Sequence, residues 1–411
     1  MIKNDSFSIL VKYSFCKDTS DKRNNVIMRK NIVKKILLRY LQLKTIVLIY
    51  LFKTFSLFAK TSHWVICERG TDARDNGYWF YRYLKTNHPE QKVYYIIDKN
   101  STDYQKVQTD AILYGSVRNY WVVASAKKII SSHYAKSLPP IVGERVLTLC
   151  GLHKKYYFLQ HGVIKDNITG LHASCAPMRL FVCGAKPEYN FVLRTFGHTS
   201  DVIKYTGLAR YDQLHDFKVK KQILLMPTWR MNIRSQDDFL HSDYFAQWQK
   251  VLSDKELAKQ LEQNDVKLVL YVHYEMQKYC HLFAPITENM IVARFEEYDV
   301  QILLKESAVL VTDFSSVFFD FAYMKKPMLF FQFDKDNFYL NHYEKGYFDY
   351  ESMGFGRVFT ESENVTTELI RMIKNNFEIE QMYLDRMRDF FPLHDKNNCQ
   401  RIYDVIVKDD K

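Results

Sequence analysis

Beyond Ser62 the chain alternates short apolar runs with longer stretches whose apolar residues recur at helical spacing. The runs at 64–67, 92–97, 128–131, 156–160 and 180–183, then 222–226, 267–272, 308–312 and 328–331, predict strands. Near-continuous apolar strands separated by helices make a βαβ rhythm, which implies parallel sheets covered by helices on both faces. At 411 residues the chain is long enough for two cores of about 150–200 residues each. The polar, weakly periodic stretch 212–221 is the natural boundary. The expected organisation is therefore a leader at 1–62 and two doubly wound domains, at 63–215 and 216–411. No internal repeat appears at the periods of roughly 20–50 residues that mark solenoids.

The leader has a different pattern. From Ile27 to Ser62 it carries no acid, while Ile32, Ile36, Leu37, Leu41, Val47, Leu48, Leu51, Phe55 and Phe58 recur as on an amphipathic helix. Lys34, Lys35, Arg39, Lys53 and Lys60 fall within one arc of about 140° at helical spacing, with Lys44 off it. Such a segment suits the headgroup region of an anionic leaflet; a helix docked on the core with a solvated basic face has the same composition.

Charge sharpens this picture. Thirteen Lys and Arg stand against three acids in residues 1–62, so nearly all of the net +11 sits there. A nucleic-acid channel needs basic residues spread over the folded body, and that class is disfavoured. No apolar run approaches the roughly 20 residues that span a bilayer, and the basic start lacks a signal-peptide cleavage pattern. Seven scattered cysteines without a C-x-x-C pair suggest neither zinc nor a redox centre and fit a reducing, cytoplasmic setting. Low Gly and Pro (13 and 9) argue against a disordered or linker-rich chain.

In open α/β sheets ligands bind beyond the carboxyl ends of the strands, and four strand ends carry chemistry. In Leu159-Gln160-His161-Gly162 a histidine, able to take a proton near neutral pH, precedes a glycine that allows a sharp turn. Met226-Pro227-Thr228-Trp229-Arg230 presents a guanidinium suited to phosphate beside an aromatic ring. Tyr271-Val272-His273 ends a strand on a second histidine. Thr312-Asp313-Phe314-Ser315-Ser316 leads into a helix, with Asp313 and the serines as helix-start residues and Ser316 and Asp320 four apart on one face. Each of these has an ordinary structural use as well. Neither a P-loop nor a Gly-rich dinucleotide fingerprint is present.

Taken in order, these segments resemble the CDP-glycerol glycerophosphotransferase family, the polyol-phosphate transferases of teichoic acid and capsule synthesis. The resemblance is carried by residues 68–78, by Gln160-His161-Gly162-Val163-Ile164-Lys165-Asp166, by Tyr205-Thr206-Gly207-Leu208-Ala209-Arg210-Tyr211-Asp212 and by Pro227-Thr228-Trp229-Arg230. It continues through His273, residues 299–334 and Phe390-Phe391-Pro392-Leu393-His394-Asp395. Tyr274 stands where the family often has proline after the histidine.

The resemblance implies a GT-B-like α/β fold, two Rossmann-like domains facing a cleft, with acceptor on the first and donor on the second. It implies a peripheral enzyme on the cytoplasmic face of the membrane that moves glycerol phosphate from CDP-glycerol to a hydroxyl of a membrane-linked glycan or polyol-phosphate acceptor, releasing CMP. His161 then falls on the general base. Arg230, His273, Ser315 and Ser316 fall on donor-pyrophosphate positions, Asp320 could meet a ribose hydroxyl, and Arg210 could line the cleft. Asp72 and Asp75 could cap a helix, hold acceptor or bind Mg²⁺; no metal ligand and no further cofactor is assigned. CDP-ribitol as donor, a nucleotide-sugar glycosyltransferase and an inactive membrane scaffold are the alternatives.

Overall fold

The computed structural model describes residues 20–56, 61–134, 148–341 and 344–409. Among these residues thirteen strands form two all-parallel sheets. The first contains β1 (Trp64–Cys67), β2 (Val93–Ile97), β3 (Ala111–Leu113), β4 (Lys128–Ser131), β5 (Tyr156–Phe158), β6 (Leu180–Cys183) and β7 (Ile203–Tyr205), in the order β3-β2-β1-β4-β5-β6-β7. The second contains β8 (Gln222–Met226), β9 (Lys267–Leu270), β10 (Met290–Val292), β11 (Val309–Thr312), β12 (Met328–Phe331) and β13 (Gly356–Phe359), in the order β10-β9-β8-β11-β12-β13. Both orders are Rossmann-like, and each reverses direction between its first strand and its fourth.

Strand periodicity decides which core each side chain enters. Trp64 and Ile66 of β1, Leu224 of β8 and Leu310 of β11 join one apolar cluster that runs through both halves of the molecule. Val65 and Cys67 face a second cluster confined to the first half, whereas Ile223, Leu225, Val309 and Val311 face a third confined to the second half. With apolar residues on both faces, the strands need helices on both sides.

The halves are also tied by polar contacts. Trp79 Nε1 donates to Gln301 Oε1 (2.9 Å), and Gln301 Nε2 donates to the Arg74 carbonyl (3.1 Å). The last helix, Asn398–Lys408, follows the second sheet in the chain but returns to the first half. There Asp212 accepts the N–H groups of Asn398 (2.8 Å) and Cys399 (2.9 Å), and the buried Lys128 ammonium donates to the Ile406 carbonyl (2.7 Å).

Within the leader, Ser20–Ser56 is one helix, α1. Of the expected amphipathic pattern, Phe58 and Lys60 lie outside the described residues, as do the side chains of Ile32, Lys34 and Lys35. One stripe of α1 docks on the helix Val117–Ser125, burying Ile49 and setting Phe52 edge-on to Trp121 at 5.6 Å. A second apolar stripe, with Ile36, Tyr40, Leu43, Val47 and Leu51, stays exposed beside Arg39 and Lys44. The docked stripe matches the reading of the leader as a helix packed on the core. Among the described residues no helix is long and apolar enough to cross a membrane.

Candidate active site

The site is built where β1, β4, β5, β8, β9 and β11 end. After β1 the fully buried Glu68 carboxylate accepts the backbone N–H groups of Arg74 (3.0 Å), Asp75 (3.0 Å) and Tyr78 (2.7 Å). This fixes the loop and the start of the helix Asn76–Asn87, which Asp75 caps through a bond from the Asn76 N–H. Burial, reinforced by the charges of Asp75 and Asp72, pushes the Glu68 carboxyl well up.

After β5, Gln160 has φ of +64°, a conformation that costs a non-glycine residue about 1–3 kcal/mol unless its surroundings hold it. Here they do. Its side-chain amide donates to the Val182 carbonyl (2.7 Å) and to Glu188 (2.8 Å), and its own carbonyl accepts from Asn76 Nδ2 (2.8 Å). The buried Glu188 also accepts the Ile164 and Gly184 N–H groups, gripping both sides of the turn. The turn brings His161 to Asp75, with Nδ1 hydrogen-bonded to the carboxylate, and leaves the imidazole exposed. An Nδ1 held this way leaves Nε2 as the ring nitrogen able to accept a proton.

Asp75 is further held by Arg210, whose Nη1 donates to Asp75 Oδ1 (2.8 Å) and to the His161 carbonyl. Burial would raise the Asp75 carboxyl, but the His161 and Arg210 charges outweigh it and hold it well below the usual carboxylate range. On its other edge Arg210 is bidentate to Asp320, with Nε at 3.1 Å and Nη2 at 2.8 Å. Gly162 makes room for this meeting of the halves: a Cβ there would lie 3.1 Å from Ser316 Oγ and 3.6 Å from Arg210 Nη2. His161, Arg210, Ser316 and Asp320, read separately from the sequence, are thus brought together.

Asp320 and Arg210 pair with each other. Both are buried, and each carboxylate oxygen of Asp320 accepts from Arg210. The helix after the serines runs only Phe318–Tyr323, so Ser316 precedes it instead of sharing its face with Asp320. Asp313 caps nothing there. It is fully buried and accepts from the Thr228 N–H (2.8 Å), the Thr228 hydroxyl (2.6 Å) and the Phe314 N–H (2.6 Å). Ser315 and Ser316 are half-buried at the cleft turn.

Arg230 is buried. Its Nη2 donates to Asp313 (2.8 Å) and Asp334 (2.8 Å), its Nε to Asp334 (2.7 Å) and its Nη1 to the Thr228 carbonyl (2.6 Å). The guanidinium lies within 5.2–5.7 Å of the rings of Tyr244, Phe314, Phe333 and Phe338. It is a buried tie between the ends of β8, β11 and β12. His273 is exposed, accepts the Glu275 N–H on Nδ1 (3.3 Å) and stacks at 6.0 Å on Trp229.

His133, after β4, was not picked out from the sequence. Its ring lies 4.6 Å from that of His161, and its Nε2 accepts from Arg69 Nε (3.2 Å). Asp75, His133 and His161 place one ligand atom each within 4.8 Å of one another. The Arg69 and Arg210 guanidiniums donate to His133 Nε2 and Asp75 Oδ1, and their charges oppose a cation there. Asp72 bonds the Arg69 N–H (3.2 Å), outside that cluster.

With this geometry in hand, the comparisons are specific. Residues 48–408 match the model of the CDP-Glycerol:Poly(glycerophosphate) glycerophosphotransferase family. The chain belongs to this family. Among curated relatives, the minor teichoic acid biosynthesis protein GgaB of Bacillus subtilis (strain 168) is 29% identical over 99% of this chain and 46% of its own length. The teichoic acid poly(glycerol phosphate) polymerase of the same strain is 25% identical over 72% of this chain and 41% of its own length. The chain thus spans about half the length of these relatives. Among solved structures, the wall teichoic acid polymerase TagF superposes with a TM-score of 0.66 at 19% identity, covering 95% of this chain and 98% of that one. The two-sheet, GT-B-like arrangement is therefore that of a solved family fold.

Proposed function

We propose that this protein transfers glycerol phosphate from CDP-glycerol to a hydroxyl of a membrane-linked glycan or polyol-phosphate acceptor. The observation that carries the reading is the His161–Asp75 pair, standing on the first half against the Ser316 turn of the second, in a chain of this family. A TagF variant has been soaked with CDPG, which supports the donor.

In the reaction the acceptor oxygen bonds to the β-phosphorus while the bond from that phosphorus to the CMP oxygen breaks. The hydroxyl proton passes to His161 Nε2, and the electron pair leaves on CMP. Asp75 holds the imidazole in the accepting orientation and offsets the positive charge it acquires. Ser315 and Ser316 hydroxyls donate to non-bridging oxygens, the kind of charge stabilisation on which phosphoryl transfer depends. Arg230 serves by holding the loop that carries them.

The same reading puts the enzyme on an anionic membrane surface through the exposed stripe of α1. Each basic residue near such a surface adds about 1 kcal/mol of attraction, and Arg39 and Lys44 flank the apolar residues that would enter it.

The test is CMP release from the purified protein given CDP-glycerol or CDP-ribitol with crude bacterial membranes as acceptor. Release with CDP-glycerol, lost in His161→Ala while donor binding persists, is the expected result. Release with CDP-ribitol alone would change the polyol. No release and no binding of either donor would overturn the reading.

A further inference from the structure

Resting on that reading, we infer that Arg210 is a positioning residue that makes the orientation of the His161 base conditional on the seating of the donor half. Three observations carry it.

First, Arg210 belongs structurally to the first half. It lies on the turn Ala209–Gln213 directly after β7, and its backbone N–H donates to Asn76 Oδ1 (3.0 Å), the residue whose amide also holds the Gln160 carbonyl. Its backbone is thus pinned to the two segments that carry Asp75 and His161.

Second, its guanidinium is divided between the halves. One edge contacts Asp75 and the His161 carbonyl, and the other is spent on Asp320, two residues into the helix after the Ser315–Ser316 turn. The planar fork transmits position as well as charge, because a bidentate pair fixes direction in a way a point cation does not.

Third, the group is buried with no surplus of partners. Side chains of Arg210, Asp75 and Asp320 are 9%, 12% and 6% exposed. Were the second half to swing away, Asp320 would leave, and the freed Nε and Nη2 donors would have Asp75 as the nearest carboxylate. A guanidinium turned onto Asp75 competes with His161 Nδ1 for the same oxygens. Closure therefore releases Asp75 to orient the imidazole, and the base is set when the donor turn faces it.

The discriminating variant is Asp320→Asn, which keeps shape and removes the charge. CMP release with CDP-glycerol and crude membranes is expected to lose roughly tenfold or more in kcat, the scale of a disturbed general base. KM for CDP-glycerol should move by less than about threefold. Asp320→Glu, which restores a carboxylate, should recover part of the rate, and Arg210→Lys should not, since an ammonium lacks the fork. A rise in KM with kcat intact would overturn the inference and make Asp320 a donor contact. Hydrogen exchange gives a readout independent of activity: amides of residues 159–163 should exchange faster in Asp320→Asn than in the wild type. Unchanged exchange there would overturn the coupling even in an active enzyme. A wild type that releases no CMP from either donor would instead sink the functional reading on which the inference rests.

Discussion

The assignment of Arg230 to a buried tie yields a quantitative expectation. Its side chain is 5% exposed, and the carboxylates it joins, Asp313 and Asp334, are 0% and 9% exposed. Replacing it with alanine leaves two acids without their shared cation, and removing one partner of a buried pair costs about 3–5 kcal/mol. At about 2–4 °C per kcal/mol for a domain of this size, Arg230→Ala should melt roughly 6–20 °C below the wild type. Arg230→Lys keeps one charge but cannot reach both carboxylates and the Thr228 carbonyl at once, so it should fall between the two. The assay is a thermal melt followed by near-UV circular dichroism, paired with calorimetric titration of CDP-glycerol at a temperature where every variant is folded. Through the turn alone, Arg230→Lys should change donor affinity by no more than a few-fold. An alanine variant that melts with the wild type yet fails to bind CDP-glycerol would refute the reasoning and return Arg230 to the pyrophosphate.

Two further outcomes follow from the geometry. Asp75 is held below the usual carboxylate range, so its contribution to stability is fully present above the unfolded value near 3.9 and is lost as pH falls through the lower folded value; urea midpoints of wild type and Asp75→Asn should differ above about pH 4 and converge in stronger acid, and a constant gap would contradict the ion-pair account. Leu43→Glu with Val47→Glu should weaken sedimentation with anionic vesicles while leaving the melt unchanged, because both residues are exposed; undiminished binding would place the membrane contact elsewhere.

The sequence was most legible where chemistry and periodicity coincide. The central strands were found nearly to the residue because they are buried on both faces and read as unbroken apolar runs. The strands not found, β3, β7, β10 and β13, are the four sheet edges. Three or four residues long, they have a neighbour on one side only, so little apolar pattern is needed to hold them. The same contrast holds at the site. His161 stood out because it ends a strand before glycine, whereas His133 and Glu188 are single residues whose partners come from distant segments, and no local pattern marks them. Arg230 and Asp320 were placed in the right neighbourhood, but that both are buried in ion pairs was not legible. A motif gives the residue type and the loop, and the identity of the buried counter-charge, Asp334 for one and Arg210 for the other, is a tertiary fact.

The return of the last helix to the first half has a consequence for synthesis. Asp212 meets the Asn398 and Cys399 N–H groups, and Lys128 meets the Ile406 carbonyl, about 190 and 280 residues further along the chain. A nascent chain that has emerged only through Asp212 carries a carboxylate whose two helix N–H partners do not yet exist, while Lys128 already has the Tyr157 hydroxyl but not yet the Ile406 carbonyl. The half that bears His161 is therefore completed last, after the second sheet has been made, and a chain halted before residue 398 lacks the helix that closes it.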